Sequence, residues 1–355
     1  MTNSAPNRKS NCISKLQPYL IGIGKTLTKS QKLFRFRPLS DELLERELTA
    51  LRESYLFAPS FASMNDPMEA FYETGGIVDT VGMKILGLPK PELDKLYDKL
   101  RTMLERFGLV CFSSSQYDLP MWAYYGSNFG GMCLEFEGSE IVTGDFQNEP
   151  LRPVTYSKNA LPPLTLADIA GNFLEEAMIA RITRKREEWS HERERRFVVG
   201  QLGPKYYLDD ALCRVYLGPR VLPSHAEKVC EVLDRRPVEI LQGEIKGFDL
   251  SFRVIKKATP LKECVRVGAG IFDLSNAFYD EPQLKQFLSV PFEKLLNECE
   301  RTALRPNMEE FAGIDISSNK KDCIYFHTTF RLRSGREVYQ RRYFDRQLNL
   351  LEDIN

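Results

Sequence analysis

Short apolar runs alternate irregularly with amphipathic helical patterns along this 355-residue chain, and that alternation most restricts its fold. Apolar and β-branched runs that end at turn-forming residues predict short strands. The predicted strands cover residues 33–36, 55–58, 109–112, 132–136, 195–199 and 215–217. Because helices and strands follow no regular βαβ rhythm, we expect an α+β fold with a mixed sheet and flanking helices.

Helical periodicity is clearest in three segments of the first half of the chain. A leucine stripe begins behind Ser40, which we predict as the N-cap of the first helix. A charged amphipathic helix is predicted over 89–107. The longest pattern covers 166–188 and ends in the basic run 184–186, for which we expect a solvated helix end.

A change of sequence character between residues 260 and 270 indicates a domain boundary. We expect a flexible N-terminal segment (1–31), a first α+β domain (32–261) and a smaller C-terminal α+β domain (262–355). In the C-terminal domain a predicted helix over 283–302 precedes a β-hairpin. Its strands, 323–332 and 337–344, flank the turn pair Ser334-Gly335.

The composition favours a folded protein of a reducing compartment. Basic and acidic residues number 49 each, so the chain as a whole lacks the positive field of a general nucleic-acid coating protein. Its eight cysteines are scattered and form no CxxC pair, which favours a cytoplasmic location. The three histidines lack metal-ligand spacing, and no run of roughly twenty apolar residues occurs. We expect neither a Cys/His metal site nor a membrane span.

Five short motifs follow one another between residues 32 and 235. They are the strand Phe34-Arg35-Phe36-Arg37, an FxxxNDPxE loop from Phe61, a CFS segment at Cys111, MWxxYxxNxxG from Met121 and WxxExExR from Trp189. In this order they resemble a large bacterial family of unknown function, in the neighbourhood of the abortive-infection protein AbiGi. Residues 262–355 resemble no family that we recognise.

The motif order also resembles that of ADP-ribosyltransferases of the Arg, Ser-Thr-Ser, Glu-x-Glu type. The resemblance implies NAD as cofactor, a macromolecular acceptor, and a role in bacterial stress or phage defence. An early arginine would bind the NAD phosphates, a serine segment would support the nicotinamide ribose, and a glutamate would stabilise the oxocarbenium-like centre. The matching residues are Arg35 or Arg37, then Ser113 and Ser115, then Glu192 and Glu194.

The last motif predicts a compact set of charged side chains. If residues 192–198 are extended, Glu192, Glu194 and Arg196 point to one side. One carboxylate could then act at the ribose while the other pairs with Arg196. Trp122 and Tyr125 could stack on the ligand.

Each of these features also has a structural interpretation. The arginines of the first strand could be edge charges or ion-pair partners, and Asn65-Asp66-Pro67 is a natural turn. Trp122 and Tyr125 could fill the core. Gly130-Gly131 could be a turn or a close approach to a ligand. His191 could be a general base or a surface residue, and the Glu192, Glu194 and Arg196 set could be a structural ion-pair cluster.

Two further functions compete with the transferase hypothesis. A binding or sensor module could use the hairpin at 331–346 to bind nucleic acid, because seven basic residues interleave with six aromatic ones over residues 321–346. Its structural alternative places the aromatic side chains inward and the arginines in solvent. A nuclease-like hydrolase could hold Mg²⁺ with Asp66, Glu69 and the Glu192/Glu194 pair.

Overall fold

The strands and helices described here come from a computed structural model of the chain. It describes residues 31–66, 105–162, 174–275 and 279–351, with the single residues Met68, Lys95, Asp98, Thr102 and Ala277. The strands of the first part are β1 (Lys32–Arg37), β2 (Tyr55–Ala58), β3 (Gly108–Phe112), β4 (Met132–Glu137), β5 (Leu151–Pro153), β6 (Thr155–Ser157), β7 (Arg184–Arg186), β8 (Arg195–Val199), β9 (Gly203–Tyr206), β10 (Leu212–Leu217), β11 (Glu239–Lys246) and β12 (Asp249–Lys256). The helices there are α1 (Asp41–Arg52), α2 (Leu119–Tyr124), α3 (Gly138–Ile141), α4 (Leu174–Ile182) and α5 (Pro223–Val232).

A five-stranded mixed sheet in the order β1–β4–β10–β11–β12 is the base of this part. Within this sheet the β10–β11 pair is parallel and the other three pairs are antiparallel. The strands alternate apolar side chains with polar ones, and Leu33, Leu134 and Val215 enter one large apolar core with the leucine stripe of α1. The predicted strands and the N-cap position of Ser40 are thus confirmed.

A smaller antiparallel sheet, β3–β8–β5, lies beside the outer edge of β1. The link between the two sheets is an isolated bridge in which the backbones of Phe34 and Ser113 exchange hydrogen bonds of 3.0 and 2.7 Å. Two two-stranded pairs, antiparallel β2–β9 and parallel β6–β7, complete this part. The bridge places the middle of β1 next to the end of β3, where Phe112 pairs with Arg195 at the start of β8.

A second five-stranded sheet, with its own apolar core, forms the C-terminal part. Its strands are β13 (Ile271–Phe272), β14 (Met308–Ile316), β15 (Cys323–Arg331), β16 (Glu337–Asp345) and β17 (Leu350–Leu351), with helices α6 (Glu281–Phe287) and α7 (Phe292–Ala303). The predicted hairpin is β15–β16, and Gly335 in its turn has a φ of 84°. With helices and mixed sheets in both parts, the predicted α+β class is confirmed.

Buried ion pairs join the two parts of the molecule. The carboxylate of Asp209, which has no exposed surface, accepts hydrogen bonds of 2.9 and 2.7 Å from the guanidinium of Arg333. Glu140 accepts 2.6 Å and 2.9 Å bonds from Arg305 and Arg342. Burial alone would raise the pKa of Glu140, but these two arginines lower it to about 2.

The hairpin arginines therefore do not all lie in solvent, as the structural interpretation of the basic hairpin expected. Arg342 is buried, and Arg336 pairs with Asp145 in the first part of the chain. The aromatic side chains divide between the two faces: the phenylalanines are buried, whereas Tyr339 is 46% exposed. Nucleic-acid binding at this hairpin stays a prediction.

Two helix predictions need correction. Helix α4 ends at Ile182, and the chain then pairs as β7 with β6. The segment predicted over 283–302 is two helices, since Pro291 keeps the residue before it out of helical geometry. The first residues of the chain, most of the helix predicted over 89–107 and the start of the 166–188 pattern lie outside the described residues.

Candidate functional site

The candidate site lies where strands β1, β3 and β8 meet. Cys111 of β3 is paired with Arg196 of β8, and Phe112 with Arg195. The guanidinium of Arg35, on β1, donates to the Cys111 carbonyl at 3.0 Å. The sheet geometry thus brings the first, third and last sequence motifs together.

Glu194 and Arg196 form a buried, bidentate ion pair. Arg196 donates from Nε and Nη2 to the two carboxylate oxygens of Glu194 at 2.9 and 2.7 Å, and from Nη1 to the Ile182 carbonyl at 2.7 Å. Arg196 is 1% exposed and Glu194 7%. Burial would raise the pKa of Glu194, but Arg196 and then Lys185 outweigh it and lower the pKa to about 2. Glu194 is therefore a fixed negative charge at neutral pH.

Glu192 is held by a different set of partners. Its Oε1 accepts from the Tyr125 hydroxyl at 2.7 Å and its Oε2 from the Lys185 ammonium at 2.6 Å. Burial and then the charge of Glu194 raise the pKa of Glu192 against the opposing effect of Lys185. The two carboxylates thus differ in their electrostatics although only one residue separates them.

The predicted period-two arrangement of the last motif is wrong for Glu192. Glu192 ends a 3₁₀ helix that spans Glu187–Glu192, and Arg193 then has the left-handed angles φ 43° and ψ 49°. The extended strand begins at Arg195. The left-handed turn directs Glu192 towards Lys185, while Glu194 keeps the predicted pairing with Arg196.

Lys185 is the site residue that the sequence reasoning missed. Its side chain is 3% exposed, and its Nζ lies 2.6 Å from Glu192 Oε2 and 3.7 Å from Glu194 Oε2. The ammonium also lies 4.9 Å from the ring centroid of Trp189. Lys185 belongs to a basic run, and such a run predicts exposed side chains rather than a buried one. The β-branched pair Ile182-Thr183 is a local sign that the helix ends before Lys185.

The structure distinguishes the two arginines of β1. Arg37 makes a bidentate pair with the buried carboxylate of Glu47 at 2.7 and 2.6 Å, which is the ion-pair role expected of one of them. Arg35 donates only to carbonyl oxygens, of Cys111 at 3.0 Å and Phe57 at 3.4 Å, and no described carboxylate lies within 4.0 Å of it. Burial, followed by the charge of Arg37, lowers the pKa of Arg35 to about 10.

The serine segment offers one unsatisfied hydroxyl. Ser113 is 3% exposed, and its Oγ has no hydrogen-bond partner. Ser115 instead accepts from the Tyr117 backbone at 3.1 Å and so stabilises a turn. Cys111 lies beside Glu194, and burial raises the pKa of its thiol, which keeps the thiol protonated.

The aromatic candidates have separate roles. Trp122 has no exposed surface, packs edge-on against Phe36 at 5.1 Å and donates from Nε1 to the Gln116 carbonyl at 2.7 Å. Its ring fills the core, which corrects the interpretation that it stacks on a ligand. Tyr125 is half-buried and contacts the site through Glu192.

The remaining candidates are accounted for locally. A Cβ on Gly131 would lie 2.4 Å from the Arg37 carbonyl oxygen. The absence of a side chain at Gly131 therefore allows close packing against the backbone of β1 rather than against a ligand. Asp66 accepts from the Met68 backbone at 2.9 Å, as expected of a turn, and its other oxygen is buried without a partner. Glu69 lies outside the described residues. His191 is half-buried, and its Nδ1 lies 3.2 Å from the Glu188 carbonyl.

Within the described residues, no group of three or more His, Cys, Asp or Glu side chains could hold a metal ion. Two surface cavities, of about 770 and 610 Å³, lie elsewhere, beside Asp315 and beside Lys205. The described part of the chain also has no helix of the length and apolarity that crossing a membrane requires. The charged cluster of the site consists of Arg35, Lys185, Glu192, Glu194 and Arg196.

A family match covers the part of the site that follows residue 120, while Arg35 and Ser113 lie outside it. No curated protein and no solved structure matches this chain. A family model described as a protein of unknown function, DUF2971, matches residues 121–197, which contain Tyr125, Lys185 and both glutamates of the cluster. The chain therefore contains a DUF2971 domain at residues 121–197.

Proposed function

We propose that this chain is an NAD-using enzyme of the ADP-ribosyltransferase type that acts in the bacterial cytoplasm during stress or phage attack. The observation that carries the proposal is that the segments bearing Arg35, Ser113 and Glu194 are adjacent: Arg35 donates to the Cys111 carbonyl, Ser113 bridges the β1 backbone at Phe34, and Cys111 pairs with Arg196. The motif order implied these three residues as one site. Their strands are neighbours, although the residues lie far apart in the chain.

Arg35 is suited to the phosphates of NAD. Its guanidinium is held by two carbonyl oxygens and has no described carboxylate within 4.0 Å, so its charge is not neutralised by a direct ion pair. A desolvated guanidinium stabilises an anion strongly, and its planar donors match two phosphate oxygens. The cluster supports this assignment, because its three cations, Arg35, Lys185 and Arg196, exceed its two carboxylates by one.

Ser113 and the two glutamates are suited to the nicotinamide ribose. The unsatisfied Ser113 Oγ can donate to or accept from a ribose hydroxyl. The fixed negative charge of Glu194 would stabilise positive charge that develops at the anomeric carbon. Glu192, whose pKa is raised, is the better group to accept a proton from the acceptor.

The reaction breaks the bond between the ribose anomeric carbon and the pyridinium nitrogen. The nitrogen keeps the bonding electron pair, so nicotinamide leaves as a neutral molecule. A nucleophilic atom of the acceptor then bonds to the anomeric carbon and loses its proton to Glu192 or to water. With water as the acceptor, the same steps consume NAD and release free ADP-ribose.

Ligand entry requires a covering side chain to move, because both glutamates are less than a tenth exposed. We assign this role to Tyr125, which is half-buried and linked to the cluster through one hydrogen bond to Glu192. The nuclease alternative stays untested, because Glu69, one of the carboxylates that it requires, lies outside the described residues.

The test is NAD turnover and label transfer from biotinylated NAD in a bacterial lysate. Wild type is compared with Glu194→Gln and with Glu188→Gln, an exposed glutamate of the same segment that pairs only with exposed Arg186. We expect label or NAD loss with wild type and Glu188→Gln and neither with Glu194→Gln. Because Glu194→Gln removes the carboxylate that binds buried Arg196 through two hydrogen bonds, circular dichroism must show that this variant is folded.

A second variant keeps the test decisive if Glu194→Gln does not fold. Arg35→Gln removes a side chain that contacts only two carbonyl oxygens, so it leaves no buried charge behind. Turnover in wild type that persists in a folded Arg35→Gln would contradict the proposal. NAD binding without turnover in any variant would favour the non-catalytic sensor module, and absence of both would favour a purely structural ion-pair cluster.

A further inference from the structure

Strand β12 is the free edge of the first sheet. At the opposite edge, β1 continues through the Phe34–Ser113 bridge into the smaller sheet. Strand β12 pairs with β11 on one side, and no described strand pairs with its other side. An eight-residue strand with a free row of backbone donors and acceptors is a template for pairing with another chain.

The side chains around this edge are unusually apolar for a surface. Phe248, in the turn before β12, is fully exposed, and Ile245 and Val254 are 57% and 41% exposed. Ile245 and Val254 lie on the sheet face that also carries Leu250 and Phe252, both of which pack against the buried cluster around Trp122. An exposed apolar patch beside an unpaired edge indicates an interaction surface.

We propose that β12 pairs antiparallel with β12 of a second copy of this chain, about a two-fold axis at Ser251. Opposed residues of an antiparallel pair lie on the same face, so a self-pairing strand must match residues of the same parity. About Ser251, Leu250 of each copy lies opposite Phe252 of the other. The apolar face thus continues from one subunit to the next.

Charge complementarity favours a second copy as the occupant. In the same register Asp249 of each copy lies opposite Arg253 of the other, which gives two opposite-charge pairs for one interface. Both side chains are exposed, and Arg253 already points along the polar face, where it donates to Glu244 at 2.8 Å. A two-fold interface uses every favourable contact twice, which suits a strand whose charges match themselves.

The experiment measures the mass of the full-length chain by light scattering and sedimentation velocity over a range of concentrations. We expect wild type to reach twice 40.9 kDa. Asp249→Arg and Arg253→Asp each place like charges opposite one another and should give monomers. The double variant Asp249→Arg/Arg253→Asp restores opposite charges and should recover the dimer, while Lys294→Glu, an exposed charge reversal on α7, should behave as wild type.

Three outcomes would overturn the proposal. Wild type that stays monomeric up to its solubility limit would show that the edge is left free or serves a different protein. A dimer that survives both single variants would place the interface elsewhere. A folded double variant that stays monomeric would refute the register about Ser251.

Discussion

Replacing Lys185 with methionine removes the one ammonium that contacts both carboxylates of the cluster. The Nζ lies 2.6 Å from Glu192 and 3.7 Å from Glu194, and the side chain is 3% exposed. Methionine keeps most of the aliphatic volume, so the change is chiefly one of charge. Among the contacts of the described residues, the Tyr125 hydroxyl would then be the hydrogen-bond donor that buried Glu192 keeps. Removing one partner of a buried ion pair costs about 3–5 kcal/mol.

Unfolding in urea is monitored by tryptophan fluorescence, because the Lys185 ammonium lies over the ring of Trp189. The matched control is Lys158→Met, an 81% exposed lysine at 3.6 Å from Glu187, for which about 0–1 kcal/mol is expected. The double variant Lys185→Met/Glu192→Gln removes both charges and should recover about 1–4 kcal/mol of the loss. Equal, small losses for Lys185→Met and Lys158→Met would refute the claim that the cluster is desolvated.

Three other perturbations test the fold around the site. Gly131→Ala should lower the free energy of unfolding by about 1–3 kcal/mol, because the added Cβ would clash with a backbone carbonyl. The control is Gly200→Ala, whose added Cβ has no atom within 4 Å, and its free energy of unfolding should change little. Both are measured by thermal unfolding. Truncation after residue 261 removes Arg333 and leaves buried Asp209 with Arg236 as its arginine partner, and it uncovers the surface that Arg305 and Arg342 bind, so the fragment should melt lower than the full chain in scanning calorimetry and aggregate. Glu140 has a lowered folded pKa, so its contribution of about 3 kcal/mol is present above pH ~4.5 and lost as the pH falls towards 2. Glu140→Gln should therefore weaken the dependence of the melting temperature on pH between pH 5 and about 2. A pH dependence equal to that of wild type would contradict this.

The sequence predicted the strands of the site better than the geometry between them. Strands β1, β3 and β8 follow from short apolar runs, and the motif order pointed to Arg35, Ser113 and Glu194. Period two correctly paired Glu194 with Arg196, because Glu194 directly precedes the regular strand that begins at Arg195. It failed at Glu192, because a left-handed Arg193 interrupts the strand, and no local pattern demands that conformation of an arginine.

The burial of charged residues was the least predictable feature. Lys185 follows Arg184 and precedes Arg186, and such a run is ordinarily solvated. Its burial depends on the parallel pairing of β7 with β6, a contact between distant segments that periodicity does not contain. The same holds for Arg333, whose partner Asp209 lies 124 residues earlier in the chain.

Binding of NAD by purified wild type, Arg35→Gln and Arg46→Gln, measured by calorimetry, tests the central claim most directly. Arg46 is the matched control, because it is 56% exposed and pairs with Glu47 outside the cluster. We expect wild type and Arg46→Gln to bind NAD with the same affinity, and Arg35→Gln to lose at least about tenfold, the equivalent of one charge-assisted hydrogen bond. Absence of NAD binding by wild type, or equal binding by all three proteins, would contradict the proposed role of Arg35 and with it the site.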